Sequence, residues 1–150
     1  MNKKYWKFLI MMAVSFVIMY VVMFLNVDTP DHIMLSHTRT YMSILMVAPM
    51  TISMMLFMWH MYDNKKLNYL ILGLATVTFI AALTMLRNQV FISDVHWMKA
   101  MVPHHSSAIM VSQKAHLKDP EAIKLAEEII EAQEREIAQM KKMLYRLENE

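Results

Sequence analysis

Phe8 to Leu25 reads "FLIMMAVSFVIMYVVMFL". The run carries no charge and, as a helix, has roughly the length that crosses ~30 Å of hydrocarbon. A helix at a protein–water boundary keeps one polar face, and this run offers none. Two more runs repeat the pattern. Tyr41 to Trp59 reads "YMSILMVAPMTISMMLFMW" and continues into His60, Met61 and Tyr62, and Leu67 to Leu86 reads "LNYLILGLATVTFIAALTML". The sequence therefore predicts an all-α chain with three transmembrane helices, at about 8–25, 41–62 and 67–86, in a membrane region covering 1–88. The first run lacks a small-residue cleavage site and is followed by further spans, so it reads as a retained helix and not a signal peptide.

Composition agrees with this reading. The chain is 57% hydrophobic with one glycine, too apolar for an ordinary soluble domain and too glycine-poor for a sheet protein with tight turns. The net charge of +2 is small and the basic residues form no stripe, so a nucleic-acid partner is not expected. Cysteine is absent, which excludes disulfides and thiolate metal sites. Lys3, Lys4 and Lys7 precede the first span, and Lys65 and Lys66 separate the second from the third. Between the first two spans only Arg39 stands against Asp28 and Asp31. The positive-inside rule then puts the N-terminus in the cytoplasm and everything after Leu86 on the far side. The expected location is a bacterial inner (plasma) membrane, with the C-terminal part periplasmic or extracytoplasmic.

Residues 89–150 change character. Asp119 is placed to cap a helix, with Pro120 at its first position and Glu121 in its first turn. From there Ile123, Ala126, Ile130, Gln133, Ile137, Met140, Leu144 and Leu147 alternate by three and four, a seam for helix-on-helix contact. Lys124, Glu127, Glu128, Glu131, Glu134, Arg135, Lys141 and Lys142 occupy the other face. An earlier helix is expected to start near Ser93 or to run on from the third span. Its predicted inward positions are Trp97, Met101, His104, Ala108, Val111 and Ala115, and Pro103 is expected to kink or break it. Two helices of this size bury too little alone, so a homodimer or higher homo-oligomer completing a four-helix bundle is expected.

The chemistry concentrates in "MVPHHSSAIM", Met101 to Met110. Met101 lies three residues before His104 and four before His105, and Met98 three before Met101, so all are helical neighbours. Imidazole with thioether, without thiolate, suits a soft monovalent ion such as Cu(I), with Ag(I) as its surrogate. A di-iron carboxylate centre calls for Glu-x-x-His, and no histidine here has a glutamate three residues before it. Ser106 and Ser107 have no visible paired base, so no enzyme is expected. The bland alternative is a structural, oligomerising helical module in which the histidines are merely polar core. Two weaker sets stand elsewhere. In "DHIMLSHTRTYM", Met34 precedes His37 by three with His32 nearby, a possible second metal site. In the second span Met42, Met46, Met50, Met54 and Met58 recur every four residues, which reads first as one ridge packing on neighbouring helices.

The stretch from Asp94 through "MVPHHSSAI" to "QEREIAQM" resembles the family known as domain of unknown function 305. Members read Asp, a few residues, Met-x-x-His-His, two residues, Ala-Ile-x-Met, and later Gln-x-x-Glu-Ile-x-x-Met; the methionine after Ala-Ile falls about where Met110 or Val111 stands here. The matching positions are Asp94, Met101, His104, His105, Ala108, Ile109, Gln133, Glu136, Ile137 and Met140. The resemblance covers about Ser93 to Leu144, fused to the three spans. It implies a ferritin-like helical hairpin similar to CopM-type periplasmic copper-binding proteins, with a role in copper binding, buffering or tolerance. It implies Met101, His104, His105 and Met140 as ligands, with Met98, Met110 and His96 in reserve. Asp94, Gln133 and Glu136 would orient the imidazoles from behind. A copper donor or acceptor protein is the implied partner.

Overall fold

The computed structural model describes residues 3–149. Among them there are five α-helices and no strand: α1 (Lys3–Val22), α2 (His37–Phe57), α3 (Lys65–Arg87), α4 (Asp94–Lys114) and α5 (Pro120–Asn149), with short 3-10 turns at Pro30–His32 and Trp59–Met61. The chain divides into two units. One combines residues 3–22 with Thr38–Phe91, and the other combines Met23–His37 with residues 92–149. The loop between the first two apolar helices thus folds with the C-terminal helices.

In the first unit α1, α2 and α3 are each long and apolar enough to cross a membrane. The expected starts and ends shift by a few residues, because Lys3, Lys4 and Lys7 join the first turns of α1 and the second run closes in the Trp59–Met61 turn. Tyr5, Phe8, Met12, Met55 and Tyr62 form the interior. Outside it, Val14, Val17, Leu74, Val77 and Ile80 are all more than half exposed. An apolar surface of that extent suits hydrocarbon and not water. Of the four-residue methionine ladder on α2, Met50, Met54 and Met58 pack against the interior, whereas Met42 and Met46 face outward. The hydroxyls of Thr51 and Thr76 donate back to the carbonyls of Val47 (2.8 Å) and Leu72 (2.9 Å), which satisfies them within their own helices.

Polar contacts gather at one end of this unit. The Tyr5 hydroxyl donates to the fully buried Asn68 Oδ1 at 2.8 Å, and Asn68 Nδ2 donates to the Tyr62 carbonyl at 3.2 Å. Asn64 caps α3 by accepting from the Leu67 N–H. After α3 the chain turns through left-handed Gln89 (φ 51°) and Phe91 (φ 58°), and the Ser93 hydroxyl caps a new helix. The third span therefore does not run on into α4.

In the second unit α4 and α5 run antiparallel, since Lys99 pairs with Glu148 and His105 with Glu136. Asp119 caps α5 through the Ala122 N–H at 2.9 Å, with Pro120 first in the helix, as its residues predict. The interior joins Met98, Val102 and Ile109 of α4 to Ile137, Met140 and Leu144 of α5. The α5 seam lies where its periodicity put it, except that Ile123 is 40% exposed.

The inward face of α4 differs from the expected one. Trp97, His104 and Val111 are exposed, and Met98, Val102, His105, Ser106 and Ile109 are buried. The helix is turned by about one residue, roughly 100°. Apolar side chains occupy several of its faces, so periodicity did not set its phase. Pro103 is buried within a helix that continues past it to Lys114, so of the expected kink or break the break does not occur.

Candidate metal-binding site

The site is built on the facing sides of α4 and α5. Met98 and Met140 are 3% and 5% exposed, and Met34, Met101 and Met143 pack against the same interior. Five methionines from three segments thus share one cluster. Met34 comes from the loop, Met98 and Met101 from α4, and Met140 and Met143 from α5. Met110 is half-buried and outside this cluster.

His105 lies at the edge of the cluster. Its Nδ1 is 2.9 Å from the Met101 carbonyl and its Nε2 is 2.7 Å from the Glu136 carboxylate. Both partners are acceptors, so the ring makes both hydrogen bonds only with a proton on each nitrogen. In the neutral ring, Nδ1–H held by the Met101 carbonyl would leave Nε2 as the free nitrogen, turned toward Glu136. His104 is exposed, with its ring centroid 6.1 Å from that of His105. The two histidines therefore present one buried and one exposed imidazole.

The remaining expected residues disperse. His96 stacks on His37 with centroids 3.7 Å apart, and its buried Nδ1 has no hydrogen-bond partner among the described residues. Burial first, then the charges of His37 and Lys99, hold its pKa below the usual histidine value. His96 stands eight residues before His104, about 12 Å along the helix. Asp94 is exposed in the first turn of α4, and Gln133 is half-buried without a hydrogen bond to either imidazole. Glu136 is the one expected orienting residue that touches an imidazole.

The loop does not gather His32, Met34 and His37 into one site. His32 Nδ1 lies 2.8 Å from the Ser106 hydroxyl and 3.0 Å from that of Thr29, Met34 enters the methionine cluster, and His37 goes to His96. The loop is extended there, so side chains a few residues apart reach different turns of α4. Asp31 accepts a hydrogen bond from Lys141, which with Thr29 pulls its pKa down to about 2. Burial lowers that of His32 below the usual histidine value, and the charge of Lys141 adds to the effect.

Sequence reasoning weighed Ser106 only as a nucleophile and missed its place under the loop. Its side chain is fully buried, and its oxygen accepts the Asp28 N–H at 2.7 Å while facing His32. Ser106, His32 and Asp31 follow one another in the order of a hydrolytic triad, with His32 Nε2 3.9 Å from Asp31 and the Ser106 hydroxyl buried where it anchors the loop. Only the tertiary fold brings these residues together, and no local signal marks them. Among the described residues no three histidine, aspartate or glutamate side chains converge as a metal set.

Residues 58–144 match the sequence family described as domain of unknown function (DUF305). The chain belongs to this family. The matched region begins before α3, so it reaches further upstream than the His-His and Gln-x-x-Glu-Ile patterns alone. An uncharacterized protein of Acanthamoeba polyphaga mimivirus is 34% identical over 140 residues, covering 91% of this chain and 90% of that protein. The likeness therefore extends over the apolar helices as well as the C-terminal pair. No solved structure matches this family member.

Proposed function

We propose that this protein is a membrane-anchored binding protein for a soft monovalent metal ion, Cu(I) or Ag(I). In this reading the three apolar helices hold it in a bacterial plasma membrane with the N-terminal lysines cytoplasmic. The α4–α5 unit works on the periplasmic side in copper binding, buffering or tolerance, with a donor or acceptor protein as its exchange partner. A ferritin-like, CopM-type arrangement completed by a second copy belongs to the same proposal.

The observation that carries it is the cluster of Met34, Met98, Met101, Met140 and Met143 beside His105. Thioethers bind soft monovalent ions well and hard cations poorly. The donor set fits the ion on one condition. Ligation at His105 Nε2 displaces Glu136, so metal and carboxylate compete for the same nitrogen. His104 is exposed and free to approach the ion from the solvent side. The test is a Cu(I) and Ag(I) titration of the full chain against a competing chelator, beside a Met101→Ala/His104→Ala/His105→Ala variant. Tight binding lost in the variant is expected, and equal binding by both proteins would refute the reading.

A second reading, a metal-free oligomerising helical module, draws on a different observation. Trp97 and Val111 of α4 and Ile123 and Leu125 of α5 are 40–58% exposed. A second copy would cover them. Mass measurement in detergent, with and without Ag(I), separates the two. The module forms the same oligomer without metal and binds none.

A further inference from the structure

The two ends of the apolar unit differ. Lys4 Nζ lies 3.1 Å from Asp63, and the Tyr5 hydroxyl accepts the Asn64 N–H at 3.1 Å, across a separation of 59 residues. These contacts bring the start of α1 beside the start of α3. Lys3, Lys4 and Lys7 therefore collect at the same end as Lys65 and Lys66. Asp63 is the one acidic residue among the described residues of this unit, so the end is strongly cationic. Aromatic rings surround it. Trp6 and Tyr69 are 58% and 67% exposed, Trp59 sits edge-on to Tyr69 at 5.1 Å, and Lys65 Nζ lies 5.0 Å above the Trp59 ring. Lysines with half-exposed tryptophan and tyrosine are the composition of a headgroup layer.

An apolar groove opens in the same unit. It has a volume of about 320 Å³, with Phe8, Met12, Phe16, Val47, Thr51 and Ala75 in its lining. Phe8 is one helical turn beyond Lys4 on the same face of α1. From Phe8 to Phe16 the lining extends about 12 Å along the helix. The Thr51 hydroxyl is already bonded to the Val47 carbonyl and to Met12 sulfur, so the groove offers an occupant little polar chemistry.

We propose that this end of the unit binds an anionic phospholipid, with its phosphate on the cluster of Lys4, Lys7, Lys65 and Lys66 and one acyl chain in the groove. The juxtaposition of cationic end and apolar groove selects this occupant. A free phosphate would leave the groove empty, and a neutral apolar molecule would leave an excess of positive charge here, five lysines against Asp63. A zwitterionic lipid brings its own cation to a site that already holds five. The proposal rests on the apolar unit lying in a bilayer, but not on metal binding.

The test uses the full chain. Recovery in the membrane fraction after alkaline extraction comes first, and loss there refutes the membrane reading itself. Detergent-purified protein is then offered equal phosphatidylglycerol and phosphatidylcholine, and retained lipid is counted by native mass spectrometry. The expected result is a preference of about tenfold or more for phosphatidylglycerol, since each lysine near an anionic surface contributes about 1 kcal/mol. The Lys4→Gln/Lys7→Gln/Lys65→Gln/Lys66→Gln variant loses the preference while keeping wild-type helicity. The corresponding four-arginine variant keeps it. Equal retention of the two lipids by the wild-type chain would overturn the proposal. So would a preference that survives the glutamine changes, or one lost equally with arginine.

Discussion

The two units solve opposite problems with the same element. The first is apolar on nearly all faces, its side-chain network of Tyr5, Asn64 and Asn68 lies near one end, and hydroxyls such as those of Thr51 and Thr76 bond back to their own helices. The second is amphipathic, with an interior along one seam of α5 and polar stitching from the loop at Ser106, Asp31 and Lys141. In the first unit most large side chains face outward, so its interior is thin and its surroundings must supply the rest. In the second the interior is complete enough to seal Val102 and Ser106 from solvent. The second unit is therefore held by its own contacts, whereas the first leaves its outer face to be covered from outside.

Placing an aspartate in each unit tests that contrast most sharply. Val102→Asp buries an unpaired charge between α4 and α5 and should destabilise the second unit by about 3–5 kcal/mol. Loss of its protease resistance while the chain stays in the membrane fraction is the expected outcome. Val77→Asp, at a position 64% exposed in the first unit, should cost about 2.5–3.5 kcal/mol of insertion under the proposed membrane placement. If Val77→Asp behaves as an ordinary water-facing substitution and leaves membrane recovery unchanged, the contrast collapses.

Smaller effects sharpen the picture. Asn68→Ala leaves the Tyr5 hydroxyl without its 2.8 Å partner and should cost about 1–3 kcal/mol, read as a lower melting temperature in detergent. At the proposed metal-binding site, Glu136→Ala removes the carboxylate that would compete for His105 Nε2, so Ag(I) affinity should rise a few-fold. A fall of about 10–100-fold would instead show that Glu136 orients the ring for the ion.

Acidification gives the smallest effect, and in the loop it acts through His32 and Asp31. Burial lowers the His32 pKa, so between its folded value and 6.5 the unfolded ring binds the proton and the folded one does not. Stability from His32 is thus complete above the unfolded value and fades as pH falls through 6.5 and below. Asp31, held at about 2 against an ordinary 3.8, adds stability above 3.8 that fades as pH falls from there toward about 2. Protection of the Asp28 amide, which donates to Ser106, should therefore decline in acid after correction for intrinsic exchange. His32→Gln should remove the first step of that decline and leave the second.

Much of this was legible without coordinates, for stated reasons. A span declares itself because hydrocarbon tolerates no charge along its length, and Phe8 to Leu25 has none. The start of α5 declares itself because Asp119 and Pro120 act on their own backbone, and its seam because one face alone is apolar from Ile130 to Leu147. The rotation of α4 was hidden, because Trp97, Met98, Met101, Val102, Ile109 and Val111 are apolar on several faces at once. Which of His104 and His105 turned inward followed from that rotation.

What the residues determined by themselves is local: which segments are helical, which suit a membrane, and where soft donors are dense. Those properties arise from groups within a turn or two of one another. What only the tertiary structure decided is the company each donor keeps. It brought Met34 to Met98 and Met140, gave His105 to Glu136, sent His37 to His96, and closed Ser106 under the loop. Such pairings join positions tens of residues apart. They are chosen by burial of the whole apolar surface at once, a quantity that no short stretch of sequence contains.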